Sequence, residues 1–390
     1  MNIELHLLSF FSPVLEDTGL RGLARSIDET DPVAVAEGMA AFYRALTESG
    51  ERTAANYLAA RLTESENTFS RQAATGDPAR LLARADTELG ILKAFIETDC
   101  AVLAQKLPEH ARALCPVWES GAFTLTARAL AAEYARGGYG AVRLSPALLF
   151  DKQTLDFVPV KKVSALRLSD LKEYAEEKAE AVQNTLAFIE GKPANNVLFY
   201  GDRGTGKSST VHALLNEFAP RGLRLVQLDK AAISMFPVIK EKLARFPRLR
   251  FILFLDDLSF DEEDASYAAL KAALEGSLAT ADNARIYVTT NRRHLVKESH
   301  ASRTGDEVHM ADAREEALSL FDRFGLVITY IAPDKREYVS ILQQILRDRG
   351  ITLSDEQAAL MAERYALKKG GRSPRAAKQL ADMIESGATL

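Results

Sequence analysis

Apolar residues recur at three-and-four spacing from Pro32 to about Arg136, as in Leu81, Leu82, Leu89, Leu92, Phe95 and Ile96, among positions rich in Ala, Leu and Arg. That period predicts helix after helix. Gly137, Gly138 and Gly140 break it, and LLFDKQTLDFVPV (148–160) alternates like a short strand pair before a new helix begins near Ser169. Beyond this point the strand-like runs NVLFY, LRLVQL, FILFL, RIYVTT and LVITYI alternate with helical stretches. Several are apolar throughout, as strands covered on both faces must be, so the pattern predicts a parallel α/β sheet. From Pro333 the helical period returns, with Asp334 as a cap, Ser354 and Gln357 as a capping box, and Ser373 followed by Pro374 opening a last helix. The expected domains are a helical one at 1–145, an α/β core at 146–332 and a helical lid at 333–390. No internal repeat or low-complexity segment interrupts this order.

With 390 residues, 47% of them hydrophobic and 26% charged, the chain has ordinary globular composition and length for two or three cores. A net charge of -5 supplies no overall basic field for a nucleic-acid backbone, so a nucleic-acid partner is not favoured. Cys100 and Cys115 are too far apart for a CxxC pair and suit reduced thiols in helical segments. The first residues, MNIELHLLSFFSPVLED, carry Glu4 and no basic n-region, and no stretch approaches a membrane span. A soluble cytoplasmic protein without a membrane partner is the expectation.

The stretch LFYGDRGTGKSST (198–210) adds chemistry. Gly201, Gly206, Lys207 and Ser208 satisfy G-x-x-x-x-G-K-[ST] between an apolar strand and a helix. Glycines in the turn let backbone N–H groups point at phosphates, so Gly201, Asp202, Arg203, Gly204, Thr205, Gly206 and Ser209 are candidate ATP-binding positions, with the helix end adding its positive pole. Lys207 can reach the β- and γ-phosphates, and the Ser208 hydroxyl can ligate Mg²⁺. A second signal is FILFLDDLSF (251–260), an apolar strand ending in Asp256, placed to hold Mg²⁺, and Asp257, placed to orient an attacking water. Many hydrolytic proteins of this kind have Glu at the second position. Asp is shorter by one carbon, about 1.5 Å of reach, so slow turnover is expected.

With these motifs in place the chain resembles an AAA+ ATPase, and the remaining stretches fall in that family's order. RIYVTTNRRHL resembles the strand end that carries sensor 1, which implies Asn291 between Asp257 and the γ-phosphate. LSLFDRFGLVI resembles the arginine-finger helix end, implying Arg323, and GGRSPRAAKQL resembles the lid helix with sensor 2, implying Arg375. Over roughly residues 145–390 the chain is similar to a bacterial AAA+ family catalogued only as a domain of unknown function. It departs from that family at DLKEYAEEK, where Glu173 and Ala175 replace a Gly and a Glu near the adenine pocket and Tyr174 remains as a stacking ring.

The resemblance implies a homo-oligomer, hexameric by analogy, with ATP at subunit interfaces and Arg323 acting in trans. A head-to-tail interface repeated in this way closes a ring or opens a helix. The reading is thus a Mg²⁺-dependent ATPase with ATP and ADP as ligands, whose N-terminal helices engage an unidentified protein client. Where AAA+ unfoldases carry a pore loop, this chain has LDKAAISMFPVIKEKL; Asp229 reads as a cap and Met235 and Phe236 as core, so threading is not favoured. The polar stretch 297–316 reads as a sensor of nucleotide state or partner, and its His300, Asp306, Glu307 and His309 lack ligand spacing. Arg292, Arg293, Lys368, Lys369 and Arg372 are expected to meet phosphate or neighbouring subunits. Two alternatives stay open, a non-hydrolysing nucleotide switch and, less in keeping with the lid, a P-loop kinase.

Overall fold

The apolar runs become strands because they are too short for buried helices and rich in β-branched and aromatic residues, and neighbouring strands pair their backbone groups. A computed structural model describes residues 3–260, 265–275, 282–291 and 322–387. It divides into two units, Met1–Ser145 with Arg245–Arg248, and Pro146–Ala244 with Leu249–Leu390.

The described residues of the first unit hold α1 (Thr18–Asp28), α2 (Pro32–Ser49), α3 (Ala54–Glu64), α4 (Thr68–Thr75), α5 (Leu82–Ile96), α6 (Cys100–Ala104), α7 (Glu109–Arg112), α8 (Ala127–Gly137) and α9 (Ala141–Leu144). Side-chain caps start several of them: Asp31 accepts from Val33 N and Ala34 N before Pro32, and Asn67 and Ser70 form a reciprocal box. The buried stripe of α5 comprises Leu89, Leu92, Phe95 and Ile96, as its spacing predicts, but also the fully buried carboxylate of Glu88. Glu88 accepts hydrogen bonds from the backbone N–H groups of Ser9, Phe10 and Phe11 and from Arg84 Nε. An acid on the core face therefore ties down residues 9–11. Cys100 opens α6 whereas Cys115 lies outside any helix; both are free thiols and half-buried.

The second unit is built on a seven-stranded sheet in the order β2-β1-β4-β5-β6-β3-β7. Its strands are β1 (Ala147–Asp151), β2 (Asp156–Pro159), β3 (Val197–Gly201), β4 (Leu223–Leu228), β5 (Arg250–Leu255), β6 (Ala284–Thr290) and β7 (Leu326–Tyr330). The last five are parallel, as their apolar runs predict. The sheet is larger than the five strands expected because β1 pairs in parallel with β4, Leu148 opposite Val226, and carries its antiparallel partner β2 with it. Among the described residues the core's helices are α10 (Ala175–Ile189), α11 (Lys207–Phe218), α12 (Phe236–Leu243) and α13 (Ala265–Glu275). Val211, Leu214 and Phe218 of α11 pack with Phe199, Leu225, Phe254 and Tyr287 on one sheet face. Leu198, Leu253, Ile286 and Val288, which alternate with them, are buried too, so both faces are covered.

The lid consists of α14 (Lys335–Asp348), α15 (Asp355–Lys369) and α16 (Pro374–Glu385) around Tyr338, Ile341, Leu342, Tyr365, Ala377 and Leu380. Asp334 with Glu337, Ser354 with Gln357, and Ser373 before Pro374 form the caps at their starts.

Candidate functional site

Strand register assembles the site. Tyr200 lies opposite Thr290 and Leu255 opposite Val288, so the C-terminal ends of β3, β5 and β6 finish side by side. Chain leaving those ends reaches one crevice, the place where open parallel sheets bind ligands. Gly201 ends β3 at φ 132°, and a Cβ there would come within 1.9 Å of the Tyr330 carbonyl oxygen. Only glycine lets the loop turn this close to β7.

Lys207 opens α11 and folds back over the loop. Its Nζ donates to Gly201 O at 2.7 Å, Asp202 O at 2.6 Å and Asn291 Oδ1 at 2.8 Å, which engages all three ammonium hydrogens. Burial pushes this ammonium down to about 8, while the carboxylates of Asp202, Asp257 and Asp256 pull the other way. Asn291 Nδ2 donates to Asp257 Oδ1 at 2.5 Å, and Ser208 Oγ donates to Asp256 Oδ1 at 2.5 Å. One more residue knits the acids together: the buried Thr289 donates its hydroxyl to Asp256 Oδ1 at 2.6 Å and accepts from Asp257 N at 2.8 Å. This bridge holds Asp257 in the left-handed region, φ 49°. The sequence reading missed Thr289, which there looks like one more β-branched strand former; the paired hydroxyls of VTTN at a strand end were the available signal.

The cavity over these residues has a volume of about 940 Å³ and is walled by the 203–210 loop, by Asp256, Asp257, Thr289 and Asn291, and by the lid. Lid residues Arg375 and Lys378, one turn apart on α16, line it, as does Arg203. None of these three makes an ion pair with a described residue. Arg375 N donates to Gly204 O at 3.2 Å, and a Cβ on Gly204 would meet Ser373 Oγ at 3.0 Å and Arg375 Cβ at 3.3 Å, so the lid helix is seated on the loop. Asp202 reaches the strand-to-lid connection, accepting from Ala332 N at 2.8 Å. Thr205 is buried and donates to Asp202 O at 2.8 Å, and Ser209 lines the cavity beside Ser208. Leu171, Tyr174, Ile341 and Ile345 make its apolar part. The Tyr174 ring lies 5.0 Å from that of Tyr330, and its hydroxyl donates to Ile331 O at 2.7 Å.

Arg323 is half-buried in the turn before β7 and does not line this cavity. Arg372 pairs with Glu363 at 2.9 Å and Lys369 stands over the Tyr365 ring, so both are spent on the lid itself. Arg292, Arg293, His300, Asp306, Glu307 and His309 lie outside the described residues. Asp229 caps the turn Lys230–Met235, accepting from Ala232 N, and Phe236 is buried. Among the described residues no group of three or more His, Cys, Asp or Glu could hold a metal, and no helix is long and apolar enough to cross a membrane.

Comparison with the curated proteins returns no match. Among solved structures the chain is similar to the Thermotoga maritima RuvB Holliday junction branch migration motor, at 17% identity and a TM-score of 0.40, over 57% of this chain and 64% of that one. It is also similar to AMPPCP-bound DnaA from Aquifex aeolicus, at 15% identity and a TM-score of 0.40, over 58% of this chain and 67% of that one. The chain thus spans less than two thirds of the RuvB motor's length. Residues 144–388 match the family described as protein of unknown function (DUF815), and the chain belongs to that family.

Proposed function

We propose that this chain is a Mg²⁺-dependent AAA+ ATPase that couples the state of its nucleotide to the recruitment or remodelling of a protein client. The observation that carries the reading is the continuous hydrogen-bonded path from Lys207 through Asn291 to Asp257, beside the Ser208–Asp256 pair. A glycine-rich turn with no ligand has no use for a buried ammonium held by two loop carbonyls and the Asn291 amide oxygen. Three partners hold Lys207 ready, and a phosphate oxygen takes the place of one or more of them with a stronger, charge-assisted bond.

Ser208 and Asp256 present two hard oxygen donors to one point, which would hold Mg²⁺, and the ion would supply charge neutralisation at the phosphates. Asp257 orients the attacking water and accepts its proton. Asn291, donating to Asp257, fixes the direction of that carboxylate. Arg203, Arg375 and Lys378 add positive charge around the triphosphate from loop and lid. Arg323, outside its own chain's cavity, acts on the nucleotide of a neighbouring subunit, which makes a head-to-tail homo-oligomer part of the mechanism. The N-terminal helical unit supplies the surface for the client.

A binding switch is the second reading. It is favoured by the short Asp257 side chain, whose reach is about 1.5 Å less than that of Glu and slows the water step. Calorimetric titration of MgATP into the full chain and into Lys207→Ala, with mass measured with and without nucleotide, tests the shared core of both readings. Saturable binding by the wild type that Lys207→Ala loses supports it; equal binding by the two, or none by either, overturns it.

A further inference from the structure

Glu173 has the left-handed backbone conformation, φ 60°, and so does Tyr174 beside it, φ 54°. That conformation disfavours any residue with a Cβ. What holds Glu173 there is the lid: its Oε1 accepts from Ser340 Oγ and from Gln344 Nε2, each at 3.0 Å, and Gln344 also donates to Ser340 at 3.0 Å. Lys172, one residue earlier, meets Asp348 at 2.6 Å on the same helix, α14. The segment before α10 thus grips α14 along its length, at the apolar end of the nucleotide cavity.

The grip reaches the phosphate end through packing. Ile341 and Leu342 of α14 share one buried cluster with Ala377 and Leu380 of α16. The first turn of α16 is seated on the loop by the Arg375 N to Gly204 O bond. Packed helices shift as bodies rather than deforming side chain by side chain. A displacement of α14 therefore displaces Arg375.

We infer that Glu173 is a positioning residue of the nucleotide site, acting through α14 and α16 to set where Arg375 stands over the P-loop. The inference rests on the reading of the cavity as an ATP site. It makes the lid angle depend on a carboxylate at the opposite end of the cavity from the phosphates. Nucleotide entering beside Tyr174 and nucleotide gripped by Arg375 are then linked events.

A double-mutant cycle tests this, read as the dissociation constant for MgATP of the full chain. Glu173→Ala keeps a Cβ in the same backbone conformation and weakens binding about tenfold, whereas Glu173→Gln, which keeps an oxygen acceptor for Ser340 and Gln344, stays within about threefold of wild type. In the Arg375→Ala background, Glu173→Ala adds nothing. Gln344→Ala, which leaves the strained segment untouched, weakens binding in the same direction and also adds nothing once Arg375 is gone, so the cycle can be closed even where Glu173→Ala misfolds. An equal tenfold loss in both backgrounds overturns the inference, as does an unchanged Glu173→Ala. A wild type that binds no MgATP overturns the site reading itself and the inference with it, before any variant is compared.

Discussion

Lys207 and Asn291, 84 positions apart in sequence, are joined by a 2.8 Å hydrogen bond from Nζ to Oδ1. Asn291 passes the contact on to Asp257, so the proposed phosphate-binding cation and the proposed water-orienting acid respond to one amide. Asn291→Ala releases both. The expected outcome is turnover reduced on the order of 10²-fold with MgATP affinity changed only a few-fold, since an oriented dipole matters most where charge develops. Single-turnover kinetics beside equilibrium binding checks the split.

Ser208 and Asp256 share one hydrogen bond where two oxygen donors to a cation should face each other. Ser208→Ala should raise the Mg²⁺ concentration needed for half-maximal turnover about tenfold, a loss of about 1.4 kcal/mol. Chelation of the divalent ion should stop turnover in wild type. Titrating Mg²⁺ at fixed ATP separates this effect from a loss of nucleotide affinity.

Arg323 stands outside the cavity of its own chain. Arg323→Ala should bind MgATP as tightly as wild type and release no phosphate. Mixing it with Lys207→Ala, whose Arg323 is intact, should restore part of the activity, because mixed assemblies bring a working finger to a working cavity. Activity of Arg323→Ala equal to wild type removes the arginine from the mechanism.

Glu88 concerns stability alone. Burial pushes its carboxyl up, but hydrogen bonds from Ser9, Phe10 and Phe11 outweigh that and hold it below its ordinary value of 4.5. A depressed folded-state value means stability fully present above about 4.5 and lost as pH falls through the folded value. Glu88→Gln cannot accept at both oxygens and should cost about 2 kcal/mol at neutral pH. Its denaturant midpoint should also lose the part of the acid sensitivity that wild type shows below pH 4.5. A variant as stable as wild type at pH 7 contradicts the role given to this acid.

Gly201 is the tightest point of the site. Gly201→Ala places a methyl group 1.9 Å from the Tyr330 carbonyl oxygen in a backbone conformation unsuited to alanine, so β7 or the loop must move. Destabilisation of about 3 kcal/mol is expected. Thermal denaturation without nucleotide reads it directly.

Much of this arrangement is legible in the sequence, for a physical reason. Lys207 and Asp256 sit where a helix begins or an apolar strand ends, and a parallel sheet gathers such ends at one edge, so strand pattern plus residue type locates them together, while Asn291 comes from the family resemblance. Thr289 is different: a β-branched residue inside a strand reads as sheet, and its tie to Asp256 exists only because β5 and β6 pair in the register Leu255 to Val288. The β1–β2 hairpin reads as two short strands, yet nothing local says that β1 will pair with β4, 78 residues on. Glu173 stands out as an odd residue near the base pocket, but its partners Ser340 and Gln344 lie 167 and 171 positions away, beyond any local pattern. The N-terminal helices show their period and hide Glu88, because an acid inside an apolar stripe looks like a solvent-facing position until the chain folds over it.

The most direct test of the central claim is steady-state phosphate release from MgATP by the purified full-length chain, run beside Lys207→Ala and Asp257→Asn. Slow but saturable release by wild type, absent in both variants while Asp257→Asn still binds MgATP, is the predicted result. No release above background from a wild type that binds MgATP, or release that both variants retain, contradicts the ATPase reading of this site.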